Sequence, residues 1–491
     1  MANGVADVFV LNSPGEDAGE RMTKPTTIRI GTGAGFSSDR LEPAIDLARD
    51  GSLDYLIFET IGERTLAFGH RDRRANPDRG YNPQLAARMR AVLPHTHANG
   101  TRIVTNMGVA NVAAAADVTI QIARDLGLDN FSVAEVHGDD VTHLITADTV
   151  LMDHGNQTVG ALGRKLICAN AYIGTDAILP ALETGTNVVI TGRVADPSLF
   201  LAPMVHSFGW SMDHDHQDSL DRFGQGTVIG HLMECGMQVT GGYFADPGLK
   251  EVPDLANCGY PIAEVSHDGD LIVTKLASSG GDVSSRTVRE QLLYEVHDPT
   301  RYLTPDVTAD FTGVQIEAVG RNRVRVTGGK GTKRPDQLKA TLAFDGGFLG
   351  EAEISYAGPG ARARAELAAT ILETRLERLI GANTERRIDL IGVNALHVTA
   401  QLVEHPGTSN SNRRPMRGAI DETVSDVRVR VAVRGDDREA VDLALWETEA
   451  LLCCGPAGGG GYRGRVTPSV ITHSALVPRD QIKSSIEVKS V

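Results

Sequence analysis

Three short segments concentrate acids, bases and cations at spacings suited to proton transfer on an anionic substrate. In Glu135-Val-His-Gly-Asp-Asp140, Glu135 and His137 stand two apart, so on a strand they share one face, with Asp139 and Asp140 in the loop beyond. An imidazole beside carboxylates can act as a general base or bind a divalent ion, and capping of the loop is a third use of the same residues. In Thr191-Gly-Arg-Val-Ala-Asp196 a fixed positive charge precedes a carboxylate by three positions. Arg193 could clamp a carboxylate or phosphate bidentately. Asp196, before Pro197, reads equally as a helix cap. Glu59 directly ends the apolar run Leu53-Asp-Tyr-Leu-Ile-Phe58. Its carboxylate is expected on the floor of a cleft, where burial raises a pKa into the range useful for proton transfer. Glu59, His137, Asp139, Arg193 and Asp196 form the candidate catalytic set.

A second set could bind an anion. The loop Gly31-Thr-Gly-Ala-Gly-Phe-Ser-Ser-Asp-Arg40 joins a strand to a helix. Its glycines permit close backbone approach, and a helix N-terminus offers unpaired N–H groups; a plain tight turn is the competing reading. Gly33, Gly35, Phe36, Asp39 and Arg40 are its candidates, with Arg64, Asn106, Thr191 and Gly192 from neighbouring segments. Asp39-Arg40 and Glu63-Arg64 read equally as ion pairs that hold loops. The third glycine falls one place early for a dinucleotide fingerprint, and the P-loop lysine is missing, so NAD is not expected. No metal is expected; Glu135, His137 and Asp139 are the residues that would hold one. Asp213-His-Asp-His216 reads as a solvated connector. Gly455 to Gly461 could form either an anion nest or a flexible turn.

These residues need a scaffold that brings them together. Six apolar, strand-like runs each end in small and polar residues: Gly31–Arg40, Glu59–Arg64, Thr105–Gly108, Glu135–Asp140, Asn170–Tyr172 and Thr191–Asp196. Helical patterns alternate with the runs, as in Leu41 to Arg49, Leu85 to Leu93, Ala113 to Leu126 and Thr175 to Glu183. Parallel strands with helical crossovers finish at one edge of their sheet, and ligands bind outside that edge. The expected fold class is α/β: a large, mainly parallel-sheet N-terminal domain with helical crossovers, over 27–304, behind a flexible arm at 1–26. Residues 206–290 read as an elaboration covering the cleft. They include a helix from Gly226 to Met237 and another from Thr287 to Tyr294 capped by Ser284 or Ser285. Residues 305–491 read as a smaller α+β two-layer domain. Its expected hairpins are Gly313–Val319 with Arg323–Thr327, and Leu338–Phe344 with Gly350–Tyr356. Helices follow over Ala365 to Leu379 and Arg438 to Leu452, with the alternating strand Val427 to Arg434 between them.

The chain has 491 residues, 41% hydrophobic and 23% charged, as in soluble globular proteins. A formal net charge of -15 argues against a nucleic-acid partner. No apolar stretch approaches the roughly 20 residues of a membrane span, and Met1-Ala-Asn-Gly-Val-Ala-Asp7 lacks a signal peptide's basic start, so a cytoplasmic protein is expected. Five cysteines without C-x-x-C spacing read as reduced, buried thiols.

Several segments together resemble the acyclic terpene utilisation, or AtuA-like, family. They are Ile28 to Phe36 with Asp39-Arg40, Leu53 to Glu59, Thr191 to Asp196, Glu290 to Glu295 with Asp298-Pro299, Glu353 to Gly360, and Gly455 to Gly461. The likeness spans 28–480 and implies catabolism of citronellol- and geraniol-type compounds through acyl-CoA intermediates, though it carries no residue roles. It also implies a separate small ferredoxin-like subunit as a partner, because many relatives continue into such a domain; a homo-oligomer is expected besides. The resulting expectation is an enzyme acting on a branched carboxylate or its acyl-CoA thioester, as a lyase, hydratase or hydrolase, with CoA present only as part of the substrate. A non-catalytic metabolite-binding subunit and a metal-dependent hydrolase are the alternatives.

Overall fold

The computed structural model describes residues 25–155, 157–381, 384–393 and 425–491. The arm expected over 1–26 lies, apart from residues 25 and 26, outside them. In chain order the strands are β1 (Thr27–Ala34), β2 (Tyr55–Phe58), β3 (Arg102–Thr105), β4 (Ser132–His137), β5 (Leu166–Ala171), β6 (Val188–Thr191), β7 (Pro261–Ser266) and β8 (Leu271–Lys275). They continue with β9 (Tyr302–Leu303), β10 (Thr308–Asp310), β11 (Gln315–Gly320), β12 (Arg323–Thr327), β13 (Lys330–Thr332), β14 (Gln337–Ala357), β15 (Glu385–Ile391), β16 (Asp426–Gly435), β17 (Gly460–Pro478) and β18 (Ser485–Ser490).

Ten strands form one sheet in the order β11-β12-β8-β7-β1-β2-β3-β6-β4-β18. The contiguous block β1-β2-β3-β6-β4 is parallel throughout. Side-chain alternation sends Ile28, Ile30, Ile57, Val104, Ala134 and Val136 to one face and Leu56, Phe58, Ile103, Val133 and Ile190 to the other. Both faces are buried, which is why these strands read as continuous apolar runs. Helices Glu42–Asp50, Leu85–Asn99 and Val112–Asp125 cover one face; Thr175–Glu183, Ser198–Phe208 and Gln217–Glu234 cover the other.

The fifth apolar run departs from expectation. β5 leaves the parallel sheet and pairs antiparallel with β14 in a second sheet of order β15-β16-β14-β17. An apolar strand is buried on both faces in either sheet, so its own residues do not choose between them. The second sheet is antiparallel, and Val427, Val429, Val431 and Val433 of β16 point into a core closed by helices Ala361–Ile380 and Arg438–Cys454. Leu379, expected on the buried face of its helix, is 38% exposed. The hairpin expected between Leu338 and Tyr356 is instead one long strand, β14, with a bulge between Asp345 and Phe348. The extra residues Gly346-Gly347 are absorbed without reversing the chain.

The β11–β12 hairpin forms through Asn322, at φ 53°, but joins the large sheet beside β8. β18 also joins that sheet, antiparallel to β4. Strand pairing therefore does not follow the 304/305 boundary. Cys168 and Cys258 are buried, whereas Cys453 and Cys454 are exposed at the end of their helix, correcting the buried-thiol reading there. Among the described residues, no helix is long and apolar enough to cross a membrane.

Candidate active site

The parallel strands β1, β2, β3, β6 and β4 deliver their polar endings to one edge. Glu59 follows β2 and is 8% exposed. Its Oε1 accepts from the Ile61 N–H and from Asn106 Nδ2, both at 2.9 Å. Asn106, fully buried after β3, in turn accepts the Thr60 N–H at 2.8 Å on Oδ1. Asn106, an anion-binding candidate from sequence, here spends its amide on the carboxylate of Glu59 and the Thr60 N–H. Burial raises the pKa of Glu59 well above the usual carboxylate range; the Asp196 charge adds to this, and Arg193 opposes it.

Arg193 is 1% exposed, and its guanidinium is almost fully occupied. Nε donates to Val194 O at 2.8 Å, Nη1 donates to Ile61 O at 2.5 Å, and Nη2 meets Val194 O and the Asp196 carboxylate. The ring of Tyr172 stacks below it, 4.5 Å from Cζ to the centroid. A bidentate clamp on a ligand would require this fork to leave its present partners, so Arg193 sits here as a fixed internal cation. Asp196, with 31% of its side chain exposed, is the member of the pair that meets solvent. Desolvation raises the pKa of Asp196 while Arg193 pulls it down.

Asp139 buckles the same loop. Its Oδ2 accepts the Arg193 backbone N–H and Asn170 Nδ2, each at 2.8 Å. Gly192 is required at this contact, because a Cβ there would lie 2.5 Å from the Asp139 carboxylate. Thr191 ends β6 with its hydroxyl on the Gly192 carbonyl. Asp139 therefore holds Arg193 in place, and burial raises its own pKa. Tyr172, two residues beyond Asn170, donates to Glu63 Oε1 at 3.0 Å. The β5 ending thus reaches the cluster although β5 belongs to the other sheet.

The helix Gln217–Glu234 supplies residues that sequence reasoning missed. Glu234 Oε1 lies 3.0 Å from His231 Nδ1, and Glu234 Oε2 is buried without a partner. Burial, then the Asp196 and Glu295 charges, raise Glu234 well above the carboxylate range; burial lowers His231 to about 4. Tyr302 packs against His231 at 5.3 Å between ring centroids, the rings tilted by 55°, and burial with the charge of Glu234 raises its phenol. The available signal was the glycine at 230, one helical turn before Glu234. A Cβ on Gly230 would lie 2.6 Å from both Cα and O of Pro197, so the glycine lets the helix press against the residue after Asp196. Gly230→Ala gains about 1 kcal/mol of helix propensity but forces a backbone apart, at about 1–3 kcal/mol. A lowered thermal unfolding midpoint is the expected outcome, since the clash is with main chain that cannot rotate away.

The glycine loop has a different use from the expected anion seat. A Cβ on Gly35 would strike the backbone of Glu234 and Cys235, and the Thr32 hydroxyl donates to Met233 O at 2.9 Å. The close approach therefore serves the end of that helix. A Cβ on Gly33 would meet the Phe58 ring. Asp39 accepts the Gly35 N–H at 2.8 Å, Arg40 reaches Ala256 O at 2.5 Å, and buried Arg88 ties the loop through the carbonyls of Gly33, Ser37 and Asp39. Phe36 is 60% exposed, and Arg64 is exposed over the ring of Phe68.

His137 stands apart from this cluster. Its Nε2 lies 3.0 Å from Glu135 Oε2, a bond that raises the imidazole, while Glu487 and Asp139 are the more distant acids acting on it. Among the described residues one triplet could hold a metal: Glu135, His137 and Glu487, with ligand atoms within 4.8 Å of one another. Asp139, the third member expected from sequence, points instead to Arg193 and Asn170. Glu487 arrives on β18, and Lys489 Nζ on the same strand already lies 2.8 Å from Glu135 Oε1. His214 and His216 belong to no such group.

A surface groove of about 610 Å³ is lined by Phe244, Lys250, Arg286, Arg289, Leu293 and Glu295. Glu295 on its lining is one of the charges that raise Glu234. The centre thus combines four carboxyls of raised pKa, those of Glu59, Asp139, Asp196 and Glu234, with one enclosed guanidinium and the rings of Tyr172, His231 and Tyr302. Such a set favours a protonated carboxyl and can take back its proton, which is acid–base chemistry.

No curated protein and no solved structure matches the chain. The profile described as acyclic terpene utilisation family protein AtuA matches residues 28–488. With nearly its whole length covered, including every strand ending at the cluster, the chain belongs to the acyclic terpene utilisation family.

Proposed function

We propose that the protein is an enzyme of acyclic terpene utilisation that moves a proton on a branched carboxylate or its acyl-CoA thioester, as a lyase, hydratase or hydrolase. The observation that carries this reading is the enclosure of Glu59, Asp196 and Glu234 around Arg193. Burial favours the protonated carboxyls, and a permanent cation stabilises whichever one gives up its proton. Asp196 is the partner for substrate, being both ion-paired to Arg193 and open to solvent. Glu59 and Glu234 behind it set its charge environment. We propose a cytoplasmic reaction that needs CoA only as part of the substrate. A homo-oligomer, joined by a small ferredoxin-like subunit, is the assembly we propose.

Deuterium wash-in tests the lyase and hydratase readings, and thiol release from the thioesters, followed alongside it, tests the hydrolase reading. Incubated in heavy water with branched free acids and acyl-CoA thioesters, the protein is expected to label one compound at a carbon beside the carbonyl, read by mass spectrometry. Asp196→Asn is expected to slow that labelling by roughly 10²-fold or more, the usual contribution of a general acid or base. Equal rates for the variant and the native protein, or neither labelling nor thiol release with any compound, would overturn the proposal.

A further inference from the structure

We propose that a cavity away from the carboxyl cluster binds a phosphate-bearing ligand. It encloses about 550 Å³ between the end of helix Glu63–Ala75, the turn before β5 and the bulge of β14. That volume lies within the range of small-molecule sites, roughly 300–1,000 Å³. Its lining carries Arg71, Arg74, Arg164 and Lys165 against Asp345 and Asp436, an excess of two positive charges. In a chain of net charge -15, such a concentration is not the background composition of the surface.

Local structure explains how the cations meet. Arg71 and Arg74 stand three apart and so share one helix face. Gly163, at φ 65°, makes the left-handed turn that presents Arg164 and Lys165 immediately before β5. The bulge between Asp345 and Phe348 sets the opposite wall back from the helix.

The internal partners leave part of this charge unanswered. Arg164 pairs with Asp436, and Arg74 donates to Ile167 O. Lys165 forms no ion pair among the described residues, and Arg71 Nη1 is buried with no hydrogen-bond partner. Arg71 approaches Asp72 only at 3.7 Å, through its other terminal nitrogen. Cations in a last helical turn are commonplace because they complement the helix dipole. That effect explains a basic residue there, and the ring of Phe68, 4.7 Å from Arg71 Cζ to the centroid, holds the guanidinium by its face, but neither supplies a hydrogen-bond acceptor for Nη1. Two planar guanidinium groups and an ammonium around a cavity of this size match the tetrahedral oxygens of a phosphate.

Titration calorimetry on the full chain, at fixed ionic strength and with inorganic pyrophosphate as the probe, tests the site. Saturable binding of one pyrophosphate per chain is expected. Arg71→Ala/Arg74→Ala should weaken it at least tenfold, whereas Arg124→Ala/Lys333→Ala, which removes the same charge from exposed positions, should not. Equal weakening in both double variants would overturn the proposal, because it would show a diffuse field in place of a site, as would no binding to the native chain. A parallel titration with ADP separates the sources: tighter binding than pyrophosphate identifies a nucleoside phosphate, and equal binding a bare phosphate group.

Discussion

Arg193→Met is expected to destabilise the protein by on the order of 3–5 kcal/mol near pH 8, the usual cost of stripping one partner from a buried charged set. The guanidinium balances Glu59, Asp196 and Glu234, and it also satisfies the carbonyls of Ile61 and Val194. Methionine fills much of the volume but answers neither need. The loss should shrink on acidification. Without the cation the three carboxyls hold their protons still more firmly in the fold than in the unfolded chain, and such groups favour folding at low pH. Unfolding midpoints measured between about pH 5 and pH 9 check this, with the gap between variant and native protein widening as pH rises. Arg193→Met/Asp196→Asn, with one charge fewer to balance, should recover part of the loss. A pH-independent difference would mean that packing, not charge, is the role of Arg193.

The opposite effect is expected for Glu234→Gln: a more stable protein with impaired proton transfer. The raised pKa means that folded Glu234 retains its proton at pH values where the unfolded chain has released it. The unfolded state then binds fewer protons, so stability declines from about pH 4.5 upward until the folded pKa is passed, by up to about 1.4 kcal/mol per pH unit. Glutamine keeps the shape, still bonds to His231 Nδ1, and is neutral at every pH. The variant should therefore unfold at higher temperature than the native chain near pH 8 and at nearly the same temperature near pH 4. Deuterium wash-in should fall by roughly 10²-fold if Glu234 serves the proton path. A gain in stability with unchanged labelling would assign Glu234 to the surroundings of Asp196 and leave the transfer to Asp196 itself.

Much of this centre is legible in the chain itself, because strand endings are local. Glu59, Asn106 and Thr191 to Asp196 each follow an apolar run by one or two residues, and the parallel topology alone carries them to a common edge. What escaped was non-local. Glu234 sits in a helix buried nearly all round, and in sequence it is one acid among many in a segment read as cover for the cleft. Only Gly230 against Pro197, and Gly35 against the helix end, reveal that this helix is a wall of the centre. Similarly, the glycine loop carries the composition of an anion seat, but its close neighbour proved to be backbone of the same chain. His137 and Glu59 both end parallel strands, and yet β3 and β6 stand between β2 and β4, so strand order separates residues that strand endings seemed to unite. β5 shows the same limit: six short apolar runs look alike, and pairing is decided by partners far along the chain.

The return of β18 to β4 bears on how the molecule is assembled in time. Lys489 reaches Ala113 across 376 positions of sequence, and β11 and β12 also enter the large sheet from beyond its central helices. The ends of such long loops are brought together late, since closure entropy must be met before the contacts form. The parallel block can gather around its own helices first, but the flank holding Glu135 and His137 stays an open edge until β18 arrives. An open edge beside apolar strands invites pairing with another chain. During synthesis and refolding, this corner is where self-association competes with native closure, and supplying residues 485–490 in trans as a peptide should suppress aggregation of a chain cut before β18.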